Sequence, residues 1–262
     1  MMKIVTVNDV IKLLDEMMPP ELAESWDNVG LMLGRRSHHV RSLLLALDMT
    51  DETVSQAISK KADILITHHP AVFHKLNSVT DADWQQELLL RLTENGIAVY
   101  SAHTNLDCVA TGVNSVLARI LHLEDTDILD TASGLGRIGM LKQSVSLNEF
   151  ALFVKKSLKA DYLTVGNAGR LVNKVAVCGG AGADFIDLAL SKGADTLVTG
   201  DVKYHEAQKA VYSGLNIIDA GHQATELPVL EDLADRLSLR FADKNWNIDI
   251  NLAVETLLLK HI

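Results

Sequence analysis

The apolar residues of this chain fall into short unbroken runs, separated by stretches where they recur every three or four positions. The run Ile64-Leu65-Ile66-Thr67 has no polar alternation, so it reads as a central parallel strand covered on both faces. Leu43 to Leu47, Ile97 to Ser101, Val175 to Cys178, Thr196 to Thr199 and Leu215 to Ile218 also read as strands. Between them the pattern is helical. Val10, Leu13, Leu14 and Met17 share one face of a helix capped by Thr6 or Asn8 and stopped by Pro19-Pro20. Thr50 caps a second helix, with Asp51 and Glu52 in its first turn, where the helix dipole favours acids. Asp81 or Asp83 opens a third through Leu88, Leu89 and Leu92, closed by Asn95-Gly96. Further helices are predicted from Val113 to Leu121, Leu147 to Leu158, Phe185 to Leu190, up to Tyr212, and from Leu227 to Leu237. Ser146 and Glu149 have the spacing of a capping box. The tail Trp246 to Leu252 alternates and predicts a last strand. Strands alternating with helices in this way predict an α/β fold.

Three stretches break the pattern. Trp26-Asp27-Asn28-Val29-Gly30-Leu31 holds too many turn formers for a helix, and its Trp is expected to be packed. Gly134-Leu135-Gly136-Arg137-Ile138-Gly139 reads as a glycine-rich turn into a strand near Met140. It lacks the frame and following helix of a dinucleotide loop. Gly179-Gly180-Ala181-Gly182 lies between a strand and a helix. Close strand–helix packing is the favoured reading, with phosphate at the helix N-terminus as the alternative. No GKS or GKT follows, which excludes a P-loop.

The strand ends carry the chemistry. His68-His69-Pro70 follows the central strand, and the proline holds both histidines on a fixed loop at its carboxyl end, where α/β sheets gather ligands. An internal echo adds to this. Ala62-Asp63-Ile64-Leu65-Ile66-Thr67 parallels Ala194-Asp195-Thr196-Leu197-Val198-Thr199. Each is followed by a helix, a glycine and a second strand. Those second strands lead into His103-x-x-x-Asp107 and His222-x-x-x-Glu226. Repetition predicts two related α/β domains facing each other, with both sets of strand ends at one cleft. We place them at residues 1–130, completed by the C-terminal segment, and 131–262. His68, His69, His103, Asp107, His222 and Glu226 then form one constellation, too rich for a single tetrahedral zinc and suited to two metals. Glu226 is expected to bridge the ions, since each carboxylate oxygen can bind one. Lys203 and His205 occupy the loop that echoes His68-His69 and are candidates, with His103, for substrate contact or proton transfer. Mixed nitrogen and oxygen ligands admit Zn, Mn, Fe, Co or Ni.

Composition narrows the field. Hydrophobic residues make up 48% of 262 residues, enough for a large core and for subunit contacts. The net charge of −10 argues against an extended nucleic-acid surface, which needs clustered Lys and Arg. A small nucleotide stays compatible, because metals neutralise phosphate locally. Cys108 and Cys178 show no CxxC spacing, which fits a reducing cytoplasm. No apolar stretch is long enough to span a membrane.

The motifs Trp26-Asp27-Asn28-Val29-Gly30-Leu31, His68-His69-Pro70, His103-Thr104-Asn105-Leu106-Asp107, Gly134 to Gly139 and Gly221-His222-Gln223-Ala224-Thr225-Glu226 resemble those of the GTP cyclohydrolase 1 type 2 homologues, also called NGG-interacting-factor-three-like proteins. The resemblance covers nearly the whole chain and matches the short form, without the inserted middle domain of longer members. It implies two related α/β domains, a dinuclear metal site and a ring-shaped homohexamer. It places metal ligands at His68, His69, Asp107, His222 and Glu226, with His103 adjacent or ligating. The expected activity is that of a metal-dependent hydrolase acting on a nucleotide, with metal-activated water as nucleophile. A cyclohydrolase would release formate; a phosphoesterase would release phosphate or a nucleoside. The alternative is a metal-binding protein without turnover, such as a metal chaperone or a ring-shaped scaffold. Lys203, His205 or Arg137 beside an open coordination position would favour the enzyme.

Overall fold

The computed structural model describes residues 4–258. They form two compact units. One runs up to Leu106 and takes up again at Leu230–Thr256; the other is Asp107–Val229 with Leu257 and Leu258.

In chain order the first unit holds α1 (Val7–Met17), β1 (Gly30–Leu33), β2 (Ser42–Ala46), α2 (Asp51–Ser59), β3 (Ile64–Thr67), α3 (Trp84–Glu94) and β4 (Ala98–Ser101). The short helix α4 (Thr104–Cys108) carries the chain into the second unit. There follow α5 (Val113–Ile120), β5 (Glu124–Ile128), β6 (Arg137–Val145), α6 (Leu147–Ser157), β7 (Thr164–Gly166), β8 (Val172–Val177), α7 (Ile186–Ser191), β9 (Thr196–Thr199), α8 (Tyr204–Tyr212), β10 (Asn216–Asp219) and α9 (His222–Glu226). Helix α10 (Pro228–Asp243) and β11 (Asp249–Leu252) follow. From Leu230 onward the chain is part of the first unit again.

The first sheet has the order β1-β4-β3-β2-β11. Its β11, β2, β3 and β4 are parallel, and β1 lies antiparallel at the edge. Leu44, Ala46, Leu65 and Val99 pack against Val54 and Ala57 of α2 and Leu88, Leu89 and Leu92 of α3. The alternate residues Leu43, Leu45, Ile64, Ile66 and Tyr100 are buried as well. On that face the Tyr100 hydroxyl donates to Asp15 of α1 at 2.8 Å. Burial on both faces is why these strands show no polar alternation.

The second sheet has the order β5-β6-β8-β9-β10-β7, with β8, β9 and β10 parallel. Val175, Val177, Val198 and Ile218 meet Leu117 of α5 and Phe150 and Val154 of α6. Ala176, Leu197 and Ile217 face the other way, toward Ile186 and Ala189 of α7 and Ala210 of α8.

The sequence echo is an echo of hydrogen bonding. Asp63 Oδ2 accepts from the Arg41 and Ser42 N–H groups at the start of β2, and Asp195 Oδ2 accepts from Asn173 and Lys174 at the start of β8. Each Asp N–H donates to the neighbouring strand, to Ser42 O and Lys174 O. Each Asp carbonyl accepts from the next, from Ala98 N and Asn216 N. One short acidic residue thus registers three parallel strands in each unit.

Several local expectations need correction. Trp26 is 58% exposed rather than packed. Strands β5 and β7 carry no hydrophobic pattern. Glu124, Asp125 and Asp127 of β5 are exposed charges of the kind that blunts a sheet edge. Strand β1 emerges from the turn-rich Trp26–Leu31 stretch because pairing with β4 supplies what propensity does not. Ser146 accepts from Glu149 N–H at 3.3 Å, but the exposed Glu149 side chain does not complete the box. Thr6 with Asp9 and Thr50 with Thr53 do form reciprocal boxes. The tail strand is confined to Asp249–Leu252, while Trp246 packs its ring 5.7 Å from Phe241.

Candidate functional site

In the first unit three histidines converge. His68 and His69 follow β3, and their N–H groups prolong the ladder by donating to Ala46 O and Leu47 O. The Thr67 hydroxyl donates to His69 O at 2.8 Å, and Ser101 Oγ accepts from Ala71 N–H. The loop is therefore fixed by bonds as well as by Pro70. His103 follows β4, its N–H held by Asn105 Oδ1 at 2.9 Å. The ring centroids of His68, His69 and His103 lie 5.0, 5.2 and 5.7 Å apart. One nitrogen from each ring falls within 4.8 Å of the others, a group able to hold a metal ion.

An oxygen fixes Nδ1 of each ring. His68 Nδ1 lies 2.9 Å from Ala102 O, His69 Nδ1 2.8 Å from Asp48 Oδ1, and His103 Nδ1 2.9 Å from Asp27 Oδ1. A carbonyl or carboxylate accepts, so Nδ1 carries the hydrogen and the neutral ring presents its lone pair at Nε2. The His68 Nε2 atom is buried. The Asp27 side chain is shut off from solvent. Burial pushes its carboxyl up, but hydrogen bonds from His103 and Thr104 outweigh that and bring it down to about 2.

In the second unit α9 carries both His222 and Glu226, four apart on one short helix. His222 Nδ1 lies 2.7 Å from Asp201 Oδ2, and its Nε2 lies 3.2 Å from Glu226 Oε2. Asp201 sits just past β9 in the left-handed backbone region, at φ 54°, a conformation costly for a residue with a Cβ and common at functional loops. Glu226 is only 4% exposed. Asp107 ends in the same unit, on α4. Burial first, then the charges of Asp107 and Glu226, push the Cys178 thiol far above its ordinary range and keep it neutral.

The glycine loop is close packing. Gly179 N–H donates to Asn114 Oδ1, Gly180 N–H to Thr225 Oγ1 and Gly182 N–H to Thr199 Oγ1. Three donors of a phosphate cradle are thus engaged within the protein. Arg137 is not poised for substrate either. It is buried, and its guanidinium donates to Ser115 Oγ and to the carbonyls of Gly134, Gly136, Cys108 and Val109. Lys203 and His205 are exposed at the start of α8. Lys203 meets Glu206, and His205 meets Gln208 and the Tyr204 ring. His103 joins His68 and His69, whereas Lys203 and His205 lie with their own helix.

Sequence reasoning missed Asp27, Asp48 and Asp201, the carboxylates that fix three of the rings. Their signal was position: Asp48 and Asp201 each stand just beyond the carboxyl end of a parallel strand. Among the described residues no helix is long and apolar enough to cross a membrane.

Comparison with known proteins places these features in a family. A protein of Clostridium perfringens called GTP cyclohydrolase 1 type 2 homolog is 35% identical over 240 residues, covering 89% of this chain and 92% of its own. A Schizosaccharomyces pombe protein called NIF3 homolog is 31% identical over 264 residues, covering 94% and 90%. The crystal structure of a Bacillus cereus protein related to NIF3 superposes with a TM-score of 0.94 at 26% identity, covering 99% of this chain and all of that one. The profile of the Duf34/NIF3 (NGG1p interacting factor 3) family matches residues 5–256, and the chain belongs to that family.

Proposed function

We propose that this protein is a divalent-metal-dependent hydrolase acting on a nucleotide, with two ions per chain held by His68, His69, Asp107, His222 and Glu226. The observation that carries the reading is the anchoring of Nδ1 in His68, His69 and His222 by Ala102 O, Asp48 and Asp201. Rings held this way present Nε2 in one orientation, the arrangement that oxygen partners impose on metal-binding imidazoles. The donor set of imidazole nitrogens and carboxylate oxygens fits divalent Zn, Mn, Fe, Co or Ni. When bound, such an ion lowers the pKa of water enough to furnish a nucleophile near neutral pH.

The chain's own residues supply the rest. Asp27 keeps hydrogen on His103 Nδ1, so Nε2 is the atom that accepts a proton from the attacking water. Asp48 holds His69 in the same tautomer. Burial of Glu226 favours pairing it with a cation. The nucleotide substrate is supported by the name shared by several relatives, GTP cyclohydrolase 1 type 2 homolog. Self-association into a ring belongs to the same proposal, and sedimentation of the purified chain tests it.

The test is turnover by metal-loaded, full-length protein on a panel of GTP, other nucleotides and simple phosphoesters, following formate, phosphate and nucleoside. Release of any of these, lost in a folded His69→Ala variant, is the expected result. Two retained ions with no turnover across the panel would overturn the hydrolase and leave a metal-binding protein without catalysis.

A further inference from the structure

Trp26 is exposed, yet it is not loose. The chain is tied on both sides of it. Glu24 N–H donates to Thr104 Oγ1 at 2.9 Å, and Asp27 accepts from the Thr104 N–H and hydroxyl while fixing His103. The Asn28 side-chain amide donates to the Val72 carbonyl. Phe73 comes next, 39% exposed, with its ring centroid 6.1 Å from the indole at an interplanar angle of 54°. The indole also meets the His103 ring edge-on, with centroids 6.1 Å apart. His103 in turn lies 5.2 Å from His68 and 5.7 Å from His69. Two solvent-facing aromatic rings thus make a corner that adjoins the histidine group, all within the first unit.

Apolar ring surface left in water forgoes about 25 cal/mol per Å², and ordering the loop that carries it has an entropic cost besides. Such a corner gains its stabilisation when a flat ring is laid against it. Stacking on Trp is strong for any heteroaromatic base, because every base has a π-face. We propose that Trp26 and Phe73 form the base-binding subsite of this protein. They would receive the purine ring of a nucleotide by stacking, with the rest of the ligand directed past His103 toward His68 and His69. The inference rests on the nucleotide reading above and adds where the base is recognised. It predicts discrimination between ligands with a base and ligands without one.

The experiment measures equilibrium binding of guanosine, GMP and ribose 5-phosphate to the full-length chain by calorimetry, as isolated and again in EDTA. Guanosine and GMP are expected to bind in both conditions. Trp26→Ala should weaken guanosine about tenfold, equivalent to about 1.4 kcal/mol, while Trp26→Phe stays within about threefold. Phe73→Ala should weaken guanosine as well, and ribose 5-phosphate should be insensitive to both alanine variants. The proposal is overturned if guanosine does not bind, if Trp26→Ala leaves its affinity unchanged, or if ribose 5-phosphate weakens equally. It is also overturned if the loss accompanies a changed sedimentation coefficient, which would make the corner a contact between copies of the chain. Trp26-dependent guanosine binding in EDTA would uphold the subsite even where metal analysis or turnover defeats the hydrolase.

Discussion

Gly180 gives the sharpest test of the proposed ligand pair of the second unit, His222 and Glu226. Its backbone is pinned: N–H donates to Thr225 Oγ1 at 2.9 Å, and its carbonyl accepts from Gly200 N–H at 2.8 Å. Its φ is +65°, and a Cβ placed there would overlap Glu226 Oε1 and lie 3.2 Å from His222 Nε2. Gly180→Ala therefore acts twice. A non-glycine residue in the left-handed region costs about 1–2 kcal/mol, a loss of roughly 2–4 °C in melting temperature for a chain of this size. Separately, the Glu226 carboxylate must leave its position. Losing a group that only orients a metal ligand weakens affinity about 10–100-fold, or about 1.4–2.8 kcal/mol, and displacing a ligand such as Glu226 should cost at least that much. Gly96→Ala separates the two effects, because Gly96 has φ +68° with nothing within 4 Å of its would-be Cβ. Chelator competition for Zn or Mn, with calorimetric melting of both variants, reads each effect. Gly96→Ala should melt lower and keep its metal. Gly180→Ala should melt lower and lose affinity. Equal metal affinity in Gly180→Ala and wild type would refute the reasoning.

Other outcomes follow from the same geometry. Glu226→Gln keeps the shape of the side chain and removes its charge, so the folded variant should retain at most about one ion per chain by elemental analysis, and His222→Ala should behave similarly. Asp27 has a folded-state carboxyl at about 2, below its ordinary 3.8, so its stabilising contribution is complete above 3.8 and is lost as pH falls through about 2. Urea denaturation should accordingly show Asp27→Asn less stable than wild type by about 2 kcal/mol at pH 7, with the gap closing between pH 4 and pH 2. Arg137→Met would strip donors from the carbonyls of Gly134, Gly136, Cys108 and Val109, and should destabilise the fold by about 3 kcal/mol in the same assay.

The central parallel strands were legible in the sequence because burial on both faces removes polar alternation, and Ile64–Thr67 and Thr196–Thr199 are buried at every position. The repeat was legible because Asp63 and Asp195 do one job, registering neighbouring strands, at the same offset in each unit. The imidazoles drew notice because His68, His69, His103 and His222 stand just past strand ends, where a chain rarely places them for packing. The rest depended on tertiary structure. Edge strands β5 and β7 arise from pairing, which polar residues satisfy as well as apolar ones. Trp26 was expected inside because a large ring is most stable when buried. Bonds of Glu24, Asp27 and Asn28 to distant loops hold it at the surface instead. The oxygens that orient the histidines come from positions as far as 76 residues away in sequence. No local periodicity records such a pairing. A hydrogen bond between loops is specified by where the sheets bring their strand ends, and that is settled only when both faces of each sheet have been covered.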